Sequence, residues 1–149
     1  RDLVFGGRDS GDLLLIQGPL MLNWARRRKG MLPGIENGDV SLANPITEER
    51  IRLWIDAGVS VRGREDIVFV KVHTHGVKPK NTPALLGPPT SDGMSLLETR
   101  FNDGSDHRLF YVSAREMANV AFALNDGVER PVEELFDYRL VLERAVSRR

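Results

Sequence analysis

Two histidines stand close together in residues 72–76 (VHTHG), and they are the side chains best suited to chemistry. Side chains alternate between the two faces of a strand, so Lys71, His73 and His75 are predicted to share one face. In parallel α/β folds, active-site residues lie at the C-terminal ends of strands. We therefore predict His73 as a catalytic residue, with Lys71 and His75 binding substrate beside it.

The same spacing also suits a metal site, because two imidazoles one residue apart on a strand can bind one ion, as in several metal-dependent hydrolases. The sequence holds one further histidine, His107, and no cysteine, so thiolate ligands are excluded. A metal-dependent hydrolase that uses the His73/His75 pair is therefore a second prediction for this segment. The residue types alone leave both predictions open.

A polar loop at residues 36–39 (ENGD) offers carboxylates to the predicted site. An unpaired ammonium buried beside His73 would cost several kcal/mol, so Lys71 needs an acidic partner on that face. We predict that Glu36 and Asp39 lie at the rim of the site, where they contact Lys71 or a substrate. Asn-Gly is also a strong turn dipeptide, so a plain turn is the alternative interpretation of this loop.

The elements that would position these residues follow from apolar periodicity and from capping residues, such as Asn44 before Pro45 and the capping box Ser113-Ala-Arg-Glu116. Strands are predicted at residues 13–17, 67–73 and 109–112, and helices at about residues 19–29, 45–57, 91–101, 114–126 and 131–149. Residues 30–45 and 76–90 carry the prolines and glycines of loops. Trp24 and Trp54 lie on the apolar faces of predicted helices, and we expect both to pack in the core, with stacking on a sugar as the alternative. Alternating strands and helices are typical of an α/β fold with parallel strands.

Composition narrows the classes of function. The 149 residues hold 21 Lys+Arg and 21 Asp+Glu, so the formal net charge is zero and a nucleic-acid-binding surface is not indicated. The longest clear apolar run, residues 13–16 (LLLI), is far shorter than the roughly 18 residues of a membrane-spanning helix, so no transmembrane segment is predicted. The sequence begins with Arg1 instead of Met, and we expect the chain to be a fragment of a longer protein.

Two motifs resemble those of NodB-type polysaccharide deacetylases. Residues 67–73 (IVFVKVH) are similar to the last conserved motif of that family, a hydrophobic strand that ends in Leu-x-Leu-His-Asp. Residues 107–117 (HRLFYVSAREM) are similar to the strand and helix that follow it, of the form Tyr-x-Phe-Val-Thr-Leu-x-Glu-Leu. With residues 35–39 and 101–104, the chain as a whole resembles the C-terminal part of deacetylase-like proteins from bacterial exopolysaccharide systems.

This resemblance implies that residues 1–149 form a single α/β segment, the C-terminal portion of a distorted (β/α) barrel with parallel strands. It also implies metal-dependent hydrolysis of acetyl groups on a bacterial polysaccharide or oligosaccharide, with zinc or a similar divalent metal as the cofactor. The family's metal ligands belong to N-terminal motifs that this sequence lacks, so we expect the segment to be catalytically incomplete.

Within the resemblance, His73 takes the position of the family's catalytic acid. Thr74 replaces the aspartate that follows this histidine in the family, and that aspartate helps to fix the imidazole. The replacement weakens the expectation of an ordinary acid role for His73. The alternative function is a non-catalytic carbohydrate-binding or assembly module derived from the same barrel.

Overall fold

The structure is a computed structural model that describes residues 2–3, 14–28 and 32–139 of the 149-residue chain. Its strands are β1 (Asp2–Leu3), β2 (Met21–Arg28), β3 (Leu32–Glu36) and β4 (Ser60–Val61). Its helices are α1 (Glu48–Asp56), α2 (Thr82–Leu85), α3 (Pro88–Phe101) and α4 (Ala114–Asn125), followed by a 3-10 helix at Val132–Leu135. The chain divides into two compact units, Arg1–Tyr111 and Val112–Arg149.

An antiparallel hairpin of β2 and β3 occupies the region where the sequence predicts a helix at residues 19–29. The helical prediction is wrong because β2 is extended and pairs with β3, for example Leu22 with Ile35. Asn23 is buried (4 % exposed), whereas its neighbours Leu22 and Trp24 are exposed. Trp24, for which the sequence indicates core packing, therefore lies at the surface.

The predicted barrel with parallel strands is wrong for the part of the chain that the structure describes. There, parallel pairing is limited to two residues in each of β1 and β4 and to one bridge between Asp39 and His73. Residues 14–17, 67–72 and 109–112 form no ladder, and Leu13 lies outside the described residues. Apolar, β-branched residues favour an extended backbone, but a strand also needs a neighbour that pairs with several residues in succession.

The helices predicted at about residues 45–57, 91–101 and 114–126 are confirmed, but the first does not start at Pro45 and Asn44 is not its cap. The α1 helix begins after Thr47, whose side chain accepts a hydrogen bond from the Arg50 amide. The α4 helix begins with the predicted capping box, in which Ser113 and Glu116 each accept from the other's backbone amide. The α3 helix includes the predicted residues 91–101 and starts earlier, at Pro88. No helix within the described ranges is long and apolar enough to cross a membrane, in agreement with the sequence prediction.

The core of the first unit lies between α1, α3 and the segment that joins β3 to α1. Five buried apolar side chains form this core: Val40, Ile46, Ile51, Trp54 and Phe101. The prediction that Trp54 packs in the core is therefore confirmed. Gly93 of α3 lies directly against this core, since a Cβ at Gly93 would come within 2.5 Å of the Ile46 Cβ. The loop that carries Asp39 and Val40 is therefore anchored by its own buried residues.

The second unit packs α4 against the 3-10 helix. Leu135 is almost completely buried (1 % exposed), and the buried Asn119 side chain donates to the Phe136 carbonyl and accepts from the Arg139 amide. The sequence predicts a terminal helix at residues 131–149. In the described part of that range the helix is a single 3-10 turn, and residues 140–149 lie outside the described residues.

Candidate metal centre

One parallel bridge brings the polar loop opposite the histidine segment. The Val40 amide donates to the His73 carbonyl (2.7 Å) and the His73 amide donates to the Gly38 carbonyl (2.9 Å), so Asp39 lies opposite His73. Gly38 has a φ of 79°, and a Cβ there would come within 2.9 Å of the Lys71 carbonyl oxygen. A glycine is therefore required for this approach of the two backbones.

Asp39, His73 and His75 form a cluster of metal-ligating side chains. One ligand atom from each residue lies within 4.8 Å of the other two. The two imidazole rings meet edge to face, with centroids 5.5 Å apart and an interplanar angle of 88°. In tetrahedral coordination, donor atoms about 2.0–2.2 Å from one ion lie about 3.3–3.6 Å apart. The side chains of the cluster would therefore have to approach one another to hold a single ion.

The two carboxylate oxygens of Asp39 have different environments. Oδ2 accepts hydrogen bonds from the Ser41 hydroxyl (3.1 Å) and from the Asn44 side-chain amide (2.5 Å). Oδ1 is buried and has no hydrogen-bond partner, and it is the one such side-chain atom among the described residues. A buried, unsatisfied carboxylate oxygen is costly unless a cation or a donor compensates it. Oδ1 is therefore the Asp39 oxygen that is not engaged by a hydrogen bond and that a cation could compensate.

Glu36, three residues before Asp39, forms a buried ion pair with Arg50 of α1. Arg50 Nε and Nη2 each donate to a different oxygen of Glu36 at 2.7 Å, and both side chains are less than 10 % exposed. The Trp54 indole and the Gly38 amide also donate to Glu36, both at 2.9 Å. Burial by itself would raise the pKa of Glu36, but these hydrogen bonds outweigh it and hold the pKa below its ordinary value.

The structure brings together three of the five residues predicted as a site. His73, His75 and Asp39 lie together, with His73 and Asp39 half-buried and His75 exposed. Glu36 is directed at Arg50, so the predicted contact between Glu36 and Lys71 is not formed. Lys71 is exposed and its ammonium can be hydrated, which removes the need for a buried carboxylate partner.

Three polar residues that support this cluster were missed by sequence reasoning: Ser41, Asn44 and Arg50. Asparagine is a common N-cap residue, and the sequence predicts Asn44 in that role. The α1 helix begins later, with Thr47 as its N-cap, and the Asn44 side-chain amide donates to Asp39 instead. Arg50 lies one residue before the apolar stripe of α1 and is buried with it. An acidic loop followed by an arginine near a helix start is a weak signal, because most such residues are solvated.

Comparison of the chain with protein-family models, with curated proteins and with solved structures gives no match. The resemblance to NodB-type deacetylases therefore stays a prediction from the sequence motifs. What the structure adds is the geometry of Asp39, His73 and His75.

Proposed function

We propose that this chain is a metal-dependent hydrolase whose divalent ion is bound by Asp39, His73 and His75. The observation that carries the proposal is the convergence of two imidazoles and one carboxylate within 4.8 Å. The unsatisfied Oδ1 of Asp39 supports it independently, because a cation is the simplest compensation for a buried anionic oxygen.

The donor set favours a transition metal over calcium. Two imidazoles and one carboxylate suit Zn²⁺, Co²⁺, Fe²⁺ or Mn²⁺, whereas Ca²⁺ prefers an all-oxygen shell. Asp39 would bind through one oxygen, since its Oδ2 already accepts two hydrogen bonds. Asp39, His73 and His75 would hold the ion with three protein ligands, and an ion such as zinc would supply Lewis-acid activation of water for hydrolysis.

In this arrangement His73 has a different role from the one that the sequence resemblance implies. An imidazole that binds a metal must be neutral and must present a lone pair to the ion. His73 would therefore hold the ion instead of donating a proton from the same nitrogen. Exposure of His75 leaves one side of the cluster accessible to a substrate from solvent. The acetyl groups of a polysaccharide are the substrate that the sequence motifs suggest.

Titration of the purified chain with Co²⁺ tests the metal site, because cobalt reports its coordination by visible absorbance. We expect one ion per chain, with a spectrum typical of nitrogen and oxygen ligands. His73→Ala, His75→Ala and Asp39→Ala should each weaken binding by at least about 100-fold, since loss of an outer partner alone costs about 10–100-fold. His107→Ala is the matched control, because His107 contacts the Phe101 ring away from this cluster. If the three ligand variants bound Co²⁺ as tightly as the His107→Ala control, the assignment of the ion to Asp39, His73 and His75 would be contradicted.

Hydrolysis is tested separately with p-nitrophenyl acetate and with acetylated chitooligosaccharides, each with added zinc or cobalt. Metal-dependent turnover that is lost in His73→Ala would support the hydrolase. Turnover of p-nitrophenyl acetate alone would support hydrolysis of acetyl esters but not a polysaccharide substrate. Stoichiometric metal binding with no turnover of either would contradict the enzyme and favour a binding module.

One observation favours carbohydrate binding as a second candidate function. Trp24 is 63 % exposed on the β2–β3 hairpin, beside exposed Leu22 and Ile35, which pair across the two strands. An exposed indole can stack on the apolar face of a sugar ring. Quenching of Trp24 fluorescence by oligosaccharides tests this candidate, with Trp24→Phe as the control that retains the buried Trp54. No sugar-dependent change would exclude the Trp24 surface.

A further inference from the structure

We infer that Arg50 is the positioning residue of the metal centre: it holds the backbone of the 39–44 loop so that Asp39 faces His73. The inference rests on the proposed function for its ligand, but the geometry that carries it is separate from the metal-ligating atoms. Arg50 does not touch the cluster's donor atoms, and its effect would pass through the main chain of the loop.

Every donor of the Arg50 guanidinium is used within the first unit. Nε and one N–H of Nη2 bind the two oxygens of Glu36. The other N–H of Nη2 donates to the Asp39 carbonyl at 2.6 Å, and Nη1 donates to the Asn44 and Pro45 carbonyls at 2.6 and 2.8 Å. A guanidinium has five N–H donors, so none remains for another partner.

These bonds connect three separate points of one loop. Glu36 marks the end of β3, Asp39 is the candidate ligand, and Asn44 and Pro45 precede α1. The Asn44 backbone is held by Arg50, and its side chain in turn donates to Asp39 Oδ2. Arg50 therefore restrains Asp39 in two ways: directly, by donating to the Asp39 carbonyl, and indirectly, through Asn44.

The buried ion pair compensates the charge of the Arg50 guanidinium. A guanidinium buried alone would be strongly destabilising, but Glu36 neutralises it and accepts two parallel hydrogen bonds from it. Lysine cannot replace arginine here, because an ammonium has three donors around one atom and cannot span Glu36, Asp39 and Asn44 together. The conservative substitution should therefore keep the charge and lose the geometry.

The test compares Arg50→Lys with wild type in Co²⁺ titrations. We expect Arg50→Lys to bind cobalt about 10–100-fold more weakly, the range for loss of an outer-shell partner. At saturation its visible spectrum should differ from that of wild type, because the Asp39 ligand is displaced. Arg115→Lys is the matched control, since Arg115 pairs with Asp137 at the surface of the second unit. A folded Arg50→Lys variant with the wild-type affinity and spectrum would overturn the inference.

Asn44→Ala is the second variant, because it removes the side-chain hydrogen bond from Asn44 to Asp39 Oδ2, one of the two links between Arg50 and Asp39, and leaves the buried ion pair in place. If Arg50→Lys does not fold, weakened binding by Asn44→Ala supports the inference and unchanged binding overturns it.

If wild type binds no cobalt, the proposed function fails, and amide exchange of the metal-free protein decides the inference. Exchange at Val40 and His73 should accelerate at least about tenfold in the folded variant, with the amide of Asp126, the C-cap of α4, unchanged. Unchanged exchange at Val40 and His73 would overturn it.

Discussion

Two acidic residues three positions apart, Glu36 and Asp39, have opposite environments. Glu36 accepts four hydrogen bonds, two of them from a guanidinium, and its charge is fully compensated. Asp39 has one satisfied oxygen and one buried oxygen without a partner. The residue type is nearly the same, so the surroundings decide that Glu36 has a structural role and that Asp39 is available to a ligand.

Replacement of Glu36 by glutamine should destabilise the protein in a pH-dependent way. At neutral pH, Glu36→Gln removes the anion that compensates buried Arg50, and we expect a loss of about 3 kcal/mol in the free energy of unfolding. The folded-state pKa of Glu36 lies below its ordinary value of 4.5. The contribution of the charge is therefore complete above pH 4.5 and is lost as the pH falls through the folded-state pKa. Urea unfolding over a pH series measures the difference.

The difference between wild type and Glu36→Gln should shrink as the medium becomes more acidic, since protonated Glu36 resembles glutamine in charge. Glu48→Gln is the control, because Glu48 pairs with Arg52 on the exposed side of α1 and should leave the stability almost unchanged. A loss in Glu36→Gln that stayed constant from neutral to acidic pH would show that packing, not charge, explains it.

At the scale of elements, glycines mark the positions where backbones approach closely. Gly34 of β3 lies opposite Asn23, next to the irregular part of the hairpin, and a Cβ there would come within 2.6 Å of the Arg26 carbonyl oxygen. Gly93 is different, because it lies in the middle of α3, where glycine is normally unfavourable. Its cost to the helix is offset by close packing against Ile46.

Gly93→Ala should destabilise the first unit although alanine is the better helix former. Helix propensity favours alanine by about 1 kcal/mol, whereas forcing a methyl group into a packed core costs about 1–3 kcal/mol. The new Cβ would lie 2.5 Å from the Ile46 Cβ, well inside the van der Waals distance, so we expect a net loss of up to about 2 kcal/mol. Thermal unfolding followed by circular dichroism measures it.

Ser95→Ala, at an exposed position of the same helix, separates propensity from packing. It should be neutral or slightly stabilising, because alanine raises helix propensity there without entering the core. A stabilised Gly93→Ala variant would mean that α3 can move away from Ile46 and that the close contact is not required.

At the scale of the whole molecule, the candidate metal centre joins segments far apart in sequence. Asp39 belongs to the loop before α1, whereas His73 and His75 follow β4. Two backbone hydrogen bonds join these segments at the bridge. An ion bound by both segments would therefore favour the folded chain, because the unfolded chain does not hold the three ligands together.

Bound metal should raise the midpoint of thermal unfolding. A ligand at 100 times its dissociation constant adds about 2.7 kcal/mol to stability, and a chain of this size gains about 3 °C per kcal/mol, so we expect about 8 °C with cobalt or zinc. Calorimetry with and without the ion checks this value. The shift should be absent in the His73→Ala/His75→Ala double variant and with calcium.

Acidification should remove the same shift, since imidazoles bind metal only when deprotonated and metal binding releases protons. An equal shift in the double variant would place the bound ion elsewhere in the chain and contradict the assignment to these histidines.

Features that depend on neighbouring residues could be predicted from the sequence. The capping box at Ser113, the helices α1 and α3 and the burial of Trp54 follow from short-range periodicity and cap chemistry. The pairing of strands depended on the tertiary structure, because a β-branched run such as residues 67–73 specifies an extended backbone but not its partner. The barrel prediction failed for this reason, and so did the helix predicted where β2 lies.

The same division applies to the candidate site. The spacing of His73 and His75 indicated a site, and both Glu36 and Asp39 were predicted at its rim as partners of Lys71 or of a substrate. Only the tertiary structure assigned Glu36 to Arg50 and placed Asp39 opposite His73. The physical reason is that a carboxylate's role depends on which donors surround it, and here those donors come from residues up to 18 positions away.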